Sequence, residues 1–170
     1  VRFSSLHLAD LTFPAVIVAA HNVALATLAS QLAGWRLKIN DYVAMASGPA
    51  RALARVETKL FDELDYHDHS KVGVLFIESR ELPPSAVTTR IAEMCEIAPS
   101  SLYCIVAPTA SICGSVQIAA RVVEVGVHRL HKLGLFPAKI RTGHGVAPIA
   151  PVAKNDARAM GLTNDCILYG

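Results

Sequence analysis

The stretch Leu102-Tyr-Cys-Ile-Val-Ala-Pro-Thr-Ala-Ser-Ile-Cys-Gly-Ser115, continued by Val-Gln-Ile-Ala-Ala-Arg121-Val-Val-Glu124-Val-Gly-Val-His-Arg-Leu-His-Lys-Leu133, decides the fold class. Leu102 to Ala107 is a short apolar run of the length and composition of a buried strand. Pro108 to Gly114 is a loop of small residues. Ser115 to Leu133 reads as the longest helix, closed by Gly134 as its C-terminal cap. Working outward, Val72 to Ile77 is another buried strand. Pro83-Pro84-Ser85 opens a helix to about Glu96, with Val87, Ile91 and Met94 or Cys95 facing inward. Earlier still, Pro14 to Ala20 reads as a strand, Asn22 to Ala33 as a helix ending at Gly34, and Trp35 to Ala46 as extended chain turning at Asn40-Asp41. Ser47-Gly48-Pro49 then starts a helix whose apolar face is Ala50, Leu53, Val56, Leu60 and Leu64. From Ala138 the chain turns loop-rich, through Thr142-Gly-His-Gly145 and Ala147 to Pro151. A helical turn near Asp156 to Met160 and a strand from Ile167 to Gly170 complete the reading. Strands alternating with helices give an α/β class, with mixed α+β as the alternative.

The chain has 170 residues and a mass of 18.1 kDa, enough for one domain or two small ones. A weak boundary falls at the acidic turn from Asp65 to Ser70. Lys and Arg number 16 and Asp and Glu 14, a net charge of +2 that offers no basic stripe for nucleic acid or a membrane surface. With 52% hydrophobic and 18% charged residues the chain is not disordered, and so little charge calls for cover from another subunit or further chain. Leu11 to Trp35 and Ile97 to Ala120 carry no Asp, Glu, Lys or Arg. Both are interrupted by polar or proline residues and read as buried strand–turn–helix segments rather than membrane spans. The chain starts at Val1 instead of Met and stops in an apparent strand, so residues 1–170 are expected to be an internal piece of a longer protein. No leader pattern opens it. Cys95, Cys104, Cys113 and Cys166 form no CxxC and are expected to be reduced in a cytoplasmic protein.

At 100° per residue, Gln117, Arg121, Glu124, His128, His131 and Lys132 fall in one stripe of the long helix, with only Arg129 charged outside it. Surface helices usually show a broader polar face. One reading is a solvated strip with an Arg121–Glu124 pair worth a few tenths of a kcal/mol. The other is a cleft wall in which a carboxylate held by a guanidinium accepts a proton or serves as counter-ion to a cationic substrate. The loop before this helix lets a ligand approach the backbone at a helix start; as a plain turn it would be capped by Ser111 or Ser115. Two competing centres are weaker, and one histidine could serve either an enzyme or a binding module. His67-Asp68-His69 has two metal-ligand types but no evident third. Cys113 sits near a helix start, but His128 and His131 lie about 20 Å along the same rod. His144, between two glycines, reads as a surface-loop residue.

Several segments in order resemble the methenyltetrahydromethanopterin cyclohydrolase family: Ala107-Pro-Thr-Ala-Ser111, Gly114-Ser-Val-Gln-Ile-Ala-Ala-Arg-Val-Val-Glu124 and Ser47-Gly-Pro-Ala-Arg-Ala-Leu53. So do Ala29-Ser-Gln-Leu-Ala-Gly-Trp35, Val146-Ala-Pro-Ile-Ala-Pro-Val152 and Thr163-Asn-Asp-Cys-Ile-Leu-Tyr-Gly170. The likeness runs from about Phe13 to the end. Asn22, Cys113 and Leu162 depart from the family's usual Pro, Ala and Arg.

The resemblance implies a cytoplasmic hydrolase of one-carbon metabolism that interconverts N5,N10-methenyl-tetrahydromethanopterin and its N5-formyl form. It implies two α/β domains with a pocket between them, a homotrimer at full length, and no metal or other cofactor. Arg121 and Glu124 take the catalytic roles. The substrate contacts expected are Ser47, Gly48, Pro49 and Arg51 in one loop, and Pro108, Thr109, Ser111, Gly114, Ser115 and Gln117 in the other. Both loops are expected to face one pocket. A non-catalytic pterin-binding or assembly module is the alternative.

Overall fold

The computed structural model describes residues 1 to 169. In chain order the elements are β1 Arg2–Leu8, β2 Leu11–His21, β3 Trp35–Ile39, β4 Tyr42–Ser47, α1 Ala50–Leu53, α2 Thr58–Glu63, β5 Gly73–Glu78, α3 Ser85–Met94, β6 Leu102–Ala107, α4 Ile112–Ala119, α5 Val122–Lys132, β7 Thr142–Pro148 and α6 Asp156–Tyr169. The class is mixed α/β. The chain divides into two compact units, one made of Val1–Thr27 with everything from Pro108 onward, the other of Leu28–Ala107. The acidic turn from Asp65 to Ser70 lies inside the second unit. The divisions fall within apolar sequence and at a strand end, where composition does not change.

The second unit carries a four-stranded sheet in the order β3-β4-β5-β6. Asn40, at φ +52°, makes the tight turn between β3 and β4, a conformation asparagine tolerates. β4 runs antiparallel to β5, and β5 parallel to β6. A parallel pair needs a crossover, and α3 is in it. Alternate residues of the strands point to one face. Trp35, Leu37, Ala44, Ala46, Leu75 and Ile77 on that face bury against Val87 and Ile91 of α3. The helix expected from Ser47 to Leu64 is broken into α1 and α2 by Arg55, at φ +46°.

The first unit carries an antiparallel sheet in the order β1-β2-β7, with α5 packed on β7 and β2, and α6 packed on α4 and β7. The central strand β2 buries Ala15, Val16 and Val18. Four expectations change in this unit or beside it. The helix expected from Asn22 to Ala33 is a short turn with π-type bonding over Leu25–Ala29, entered through Asn22 at φ +50°. Asparagine tolerates that angle, which proline cannot adopt. The supposed loop at Thr142–Gly145 is the start of β7, since glycines weaken a strand signal without forbidding a strand. Ile167 to Tyr169 end α6 instead of forming a strand; Gly170 lies outside the described residues. The single helix expected over Ser115 to Leu133 is two helices. Among the described residues no helix is long and apolar enough to cross a membrane.

Candidate active site

The break between α4 and α5 creates the most distinctive polar feature of the first unit. Ala120 closes α4, and Arg121 leaves helical geometry at φ −91° and ψ 8°. The Arg121 amide donates to the Ile118 carbonyl at 2.9 Å, an i−3 bond that tightens the chain, and Val125 N–H donates to the Arg121 carbonyl to begin α5. Arg121 is thus the N-cap residue of α5, and Glu124 lies in its first turn. A carboxylate is favoured there by the unpaired amides and dipole of a helix start. Arg121 Nε and Nη2 both donate to Glu124 Oε2, at 3.0 and 2.8 Å. The Glu124 side chain is only 1% exposed, the Arg121 side chain 19%. Glu124 Oε1 is buried without a hydrogen-bond partner among the described residues. A buried acceptor left open is costly. One oxygen is therefore held by the guanidinium, and the other is not.

Strand β7 sets the position of that carboxylate. Gly143 and Gly145 are two apart and share a face of the strand. A Cβ on Gly143 would lie 2.5 Å from Val123 Cγ1, and one on Gly145 would lie 2.8 Å from Val122 Cγ1. The first turn of α5 seats on bare backbone, and Glu124 follows directly. His144, between them, is exposed.

The loop ahead of α4 is tightly closed. Ser111 caps the helix: its Oγ accepts from Gly114 N–H at 2.9 Å and donates to the Pro108 carbonyl at 2.7 Å. A Cβ on Gly114 would overlap the Pro108 and Thr109 carbonyls. Thr109 and Ser115 are buried, and Ser115 Oγ has no hydrogen-bond partner among the described residues. Gln117 is partly buried. From farther along the chain, Asp156 Oδ1 accepts from Ala110 N–H at 2.8 Å.

The second group of expected substrate contacts belongs to the other unit. Ser47 ends β4 opposite Phe76. Gly48, at φ +116°, lies so close to β5 that a Cβ would meet the Val74 carbonyl at 2.7 Å. Pro49 is exposed. Arg51 is 0% exposed, and its guanidinium serves the fold. Its Nε and Nη2 donate to Glu57 Oε1 at 3.1 and 2.7 Å, and Nη1 donates to the carbonyls of Leu28 and Ala29 at 3.2 Å. A side chain at Gly34 would overlap Glu57 Oε1. Arg51, expected among the substrate contacts, is held by these bonds as an internal clamp of this unit.

Of the competing centres, the His67 and His69 rings lie with centroids 4.6 Å apart and tilted by 40°, and His67 Nδ1 lies 3.1 Å from Arg55 Nη1. Among the described residues, no three His, Cys, Asp or Glu converge as metal ligands. Cys113 is exposed. The straight-rod distance from Cys113 to His128 and His131 does not apply across the break at Arg121.

A family model described as Cyclohydrolase (MCH) matches residues 1–170. The methenyltetrahydromethanopterin cyclohydrolase of Methanosarcina barkeri is 46% identical over 169 residues, 99% of this chain and 53% of the relative. The protein of the same name from Methanosarcina mazei is 45% identical over 169 residues, again 99% of this chain and 53% of the relative. That of Methanococcus maripaludis (strain S2 / LL) is 45% identical over 161 residues, 94% of this chain and 50% of the relative. The chain spans about half the length of the curated relatives it matches.

Proposed function

Because the chain belongs to the methenyltetrahydromethanopterin cyclohydrolase family, we propose that its protein hydrolyses N5,N10-methenyl-tetrahydromethanopterin reversibly to the N5-formyl form. The observation that carries the proposal is the buried Glu124, with Oε2 fixed by Arg121 and Oε1 open.

The substrate's bridge is an amidinium cation, so its carbon is electrophilic without a metal. Water adds to that carbon through a new C–O bond and passes a proton to Glu124. The resulting carbinolamine is neutral. Its C–N10 bond then breaks as Glu124 returns the proton to N10, and the freed carboxylate takes the hydroxyl proton and passes it to water, leaving the formyl C=O. One carboxylate serves both transfers, the general-base step and the general-acid step. Arg121 holds the carboxylate in place and offsets negative charge as it develops at the formyl oxygen. A bare guanidinium would repel the cationic substrate; pairing with Glu124 removes that objection. Thr109, Ser111 and Ser115, at the start of α4, are the substrate contacts in this unit, together with Pro108, Gly114 and Gln117. The same family reading gives a cytoplasmic enzyme, a homotrimer at full length, with tetrahydromethanopterin as one-carbon carrier and no other cofactor.

The test is a direct assay with the purified full-length protein. Absorbance of the methenyl form should decay faster with the protein than without it, and Glu124→Gln should lower turnover on the order of 10²–10⁴. Decay at the spontaneous rate with retained pterin binding would instead support a non-catalytic binding module. Turnover by Glu124→Gln within threefold of the parent would remove Glu124 from its role.

A further inference from the structure

We infer that Asp156 is a positioning residue of this site, holding the turn from Pro108 to Ser111 in register through the Ala110 amide. The inference rests on the cyclohydrolase reading for its kinetic part. The turn has internal bonds that fix its shape: Ser111 Oγ to the Pro108 carbonyl, Ser111 N–H to the Thr109 carbonyl, and Gly114 N–H to Ser111 Oγ. Those bonds close over a few residues and cannot fix where the turn sits. Asp156 reaches it from 46 residues farther along the chain, with Oδ1 2.8 Å from Ala110 N in a partly buried setting. An amide directed at a carboxylate is a charge-assisted bond, stronger than a neutral one.

Asp156 is not needed to cap its own helix. Asn155 Oδ1 accepts from Arg158 N–H at 2.9 Å, and the Asn155 carbonyl accepts from Ala159 N–H at 3.0 Å. α6 also packs against α4 and β7, the helix that follows the turn and the strand that seats the first turn of α5. The tether therefore starts from an element already braced on both sides of the proposed chemistry. Misplacing a group by about 1 Å can cost on the order of a hundredfold in rate.

Two substitutions in the full-length protein separate this role from a merely structural one. Asp156→Asn keeps an acceptor oxygen at the same place and loses the charge. Asp156→Glu keeps the charge at the helix start and moves the oxygen by a methylene. If the tether matters, Asp156→Asn, with an acceptor oxygen in place but no charge, lowers kcat/KM less than Asp156→Glu does. Asp156→Glu then raises KM for the methenyl substrate about tenfold or more, and the Ala110 amide exchanges with solvent about tenfold faster. If only the charge at the start of α6 matters, the order reverses, with Glu near the parent and Asn impaired in melting temperature and activity alike. That reversed order, or Ala110 exchange unchanged in Asp156→Glu, overturns the inference. Should the parent protein show no hydrolysis, the function reading fails by itself. The exchange measurement still decides whether Asp156 holds the turn.

Discussion

Gly143→Ala adds one methyl group to β7, and its effect should reach Glu124. Gly143 has no positive φ, so alanine brings no backbone strain and the cost is steric. The new carbon would lie 2.5 Å from Val123 Cγ1 and 3.4 Å from Val23 Cγ2. Carbon atoms rest at about 3.5–4.0 Å, so the first contact must open by about 1 Å. Val123 is β-branched and largely confined to one rotamer in a helix, so the helix turn has to move instead. Overpacking of this kind costs about 1–3 kcal/mol. A displacement of about 1 Å at the residue before Glu124 should lower kcat on the order of 10- to 100-fold. Thermal melting and steady-state hydrolysis would be measured on Gly143→Ala, Val123→Ala and the double variant. The double variant should recover most of the kcat lost by Gly143→Ala, because removing the valine methyls reopens the gap. Parent-like kcat in Gly143→Ala, or a double variant no better than Gly143→Ala, would show that the glycine does not set the carboxylate's position.

Arg121→Lys should remain impaired in turnover, because an ammonium keeps the charge but cannot make the two-nitrogen contact with Glu124 Oε2; free substitution would reduce Arg121 to general electrostatics. Arg51→Met should destabilise by about 3–5 kcal/mol in denaturant unfolding, because it leaves the buried side of Glu57 and two carbonyls uncompensated; a shift under 1 kcal/mol would mean that the clamp is dispensable. Burial, helped by nearby Cys104, pushes the Cys95 thiol up from 9.0 to about 11. The folded chain then holds that proton longer than the unfolded chain. The associated stability is present below about pH 9 and is lost as pH rises toward 11, on the order of 1–3 kcal/mol. Urea midpoints from pH 8 to 11 should fall less steeply in Cys95→Ala, and an unchanged slope would rule the thiol out.

Legibility in the sequence followed how local each cause is. Arg121 and Glu124 stand out because three residues along a helix bring side chains together, and that pairing survives the break because it needs only one turn. The break itself is invisible: Ala119-Ala120 are the strongest helix formers, so propensity argues for a continuous rod where the structure kinks. β5, β6 and α3 follow from apolar runs bounded by proline and turn residues. β7 does not, because its glycines serve a neighbour distant in sequence. β1 also escapes notice, since most of its residues are exposed and show no buried alternation. Arg51 shows what sequence leaves out. The family resemblance puts Arg51 among the substrate contacts, and only tertiary structure reveals Glu57 and the carbonyls of Leu28 and Ala29 around it. Asp156 gives no local signal, because its partner is a backbone amide 46 residues away.

The discontinuous make-up of the first unit bears on how the chain acquires its shape as it leaves the ribosome. Leu28–Ala107 is one unbroken segment, and its sheet can close as soon as β6 has emerged. β2 has no such opportunity. Its Ala15 to His21 must wait for Thr142 to Pro148, synthesised long afterwards, before its second edge is paired. Until then the β1–β2 hairpin presents an unsatisfied strand edge to every other nascent chain nearby. Loop closure over the finished segment costs less than closure over the same length of random chain, because a compact insert brings its ends nearer than a coil does. Early folding of the inserted segment thus shortens the search that β2 must make. Conditions that slow it should lengthen the period in which β2 is open to mispairing and aggregation.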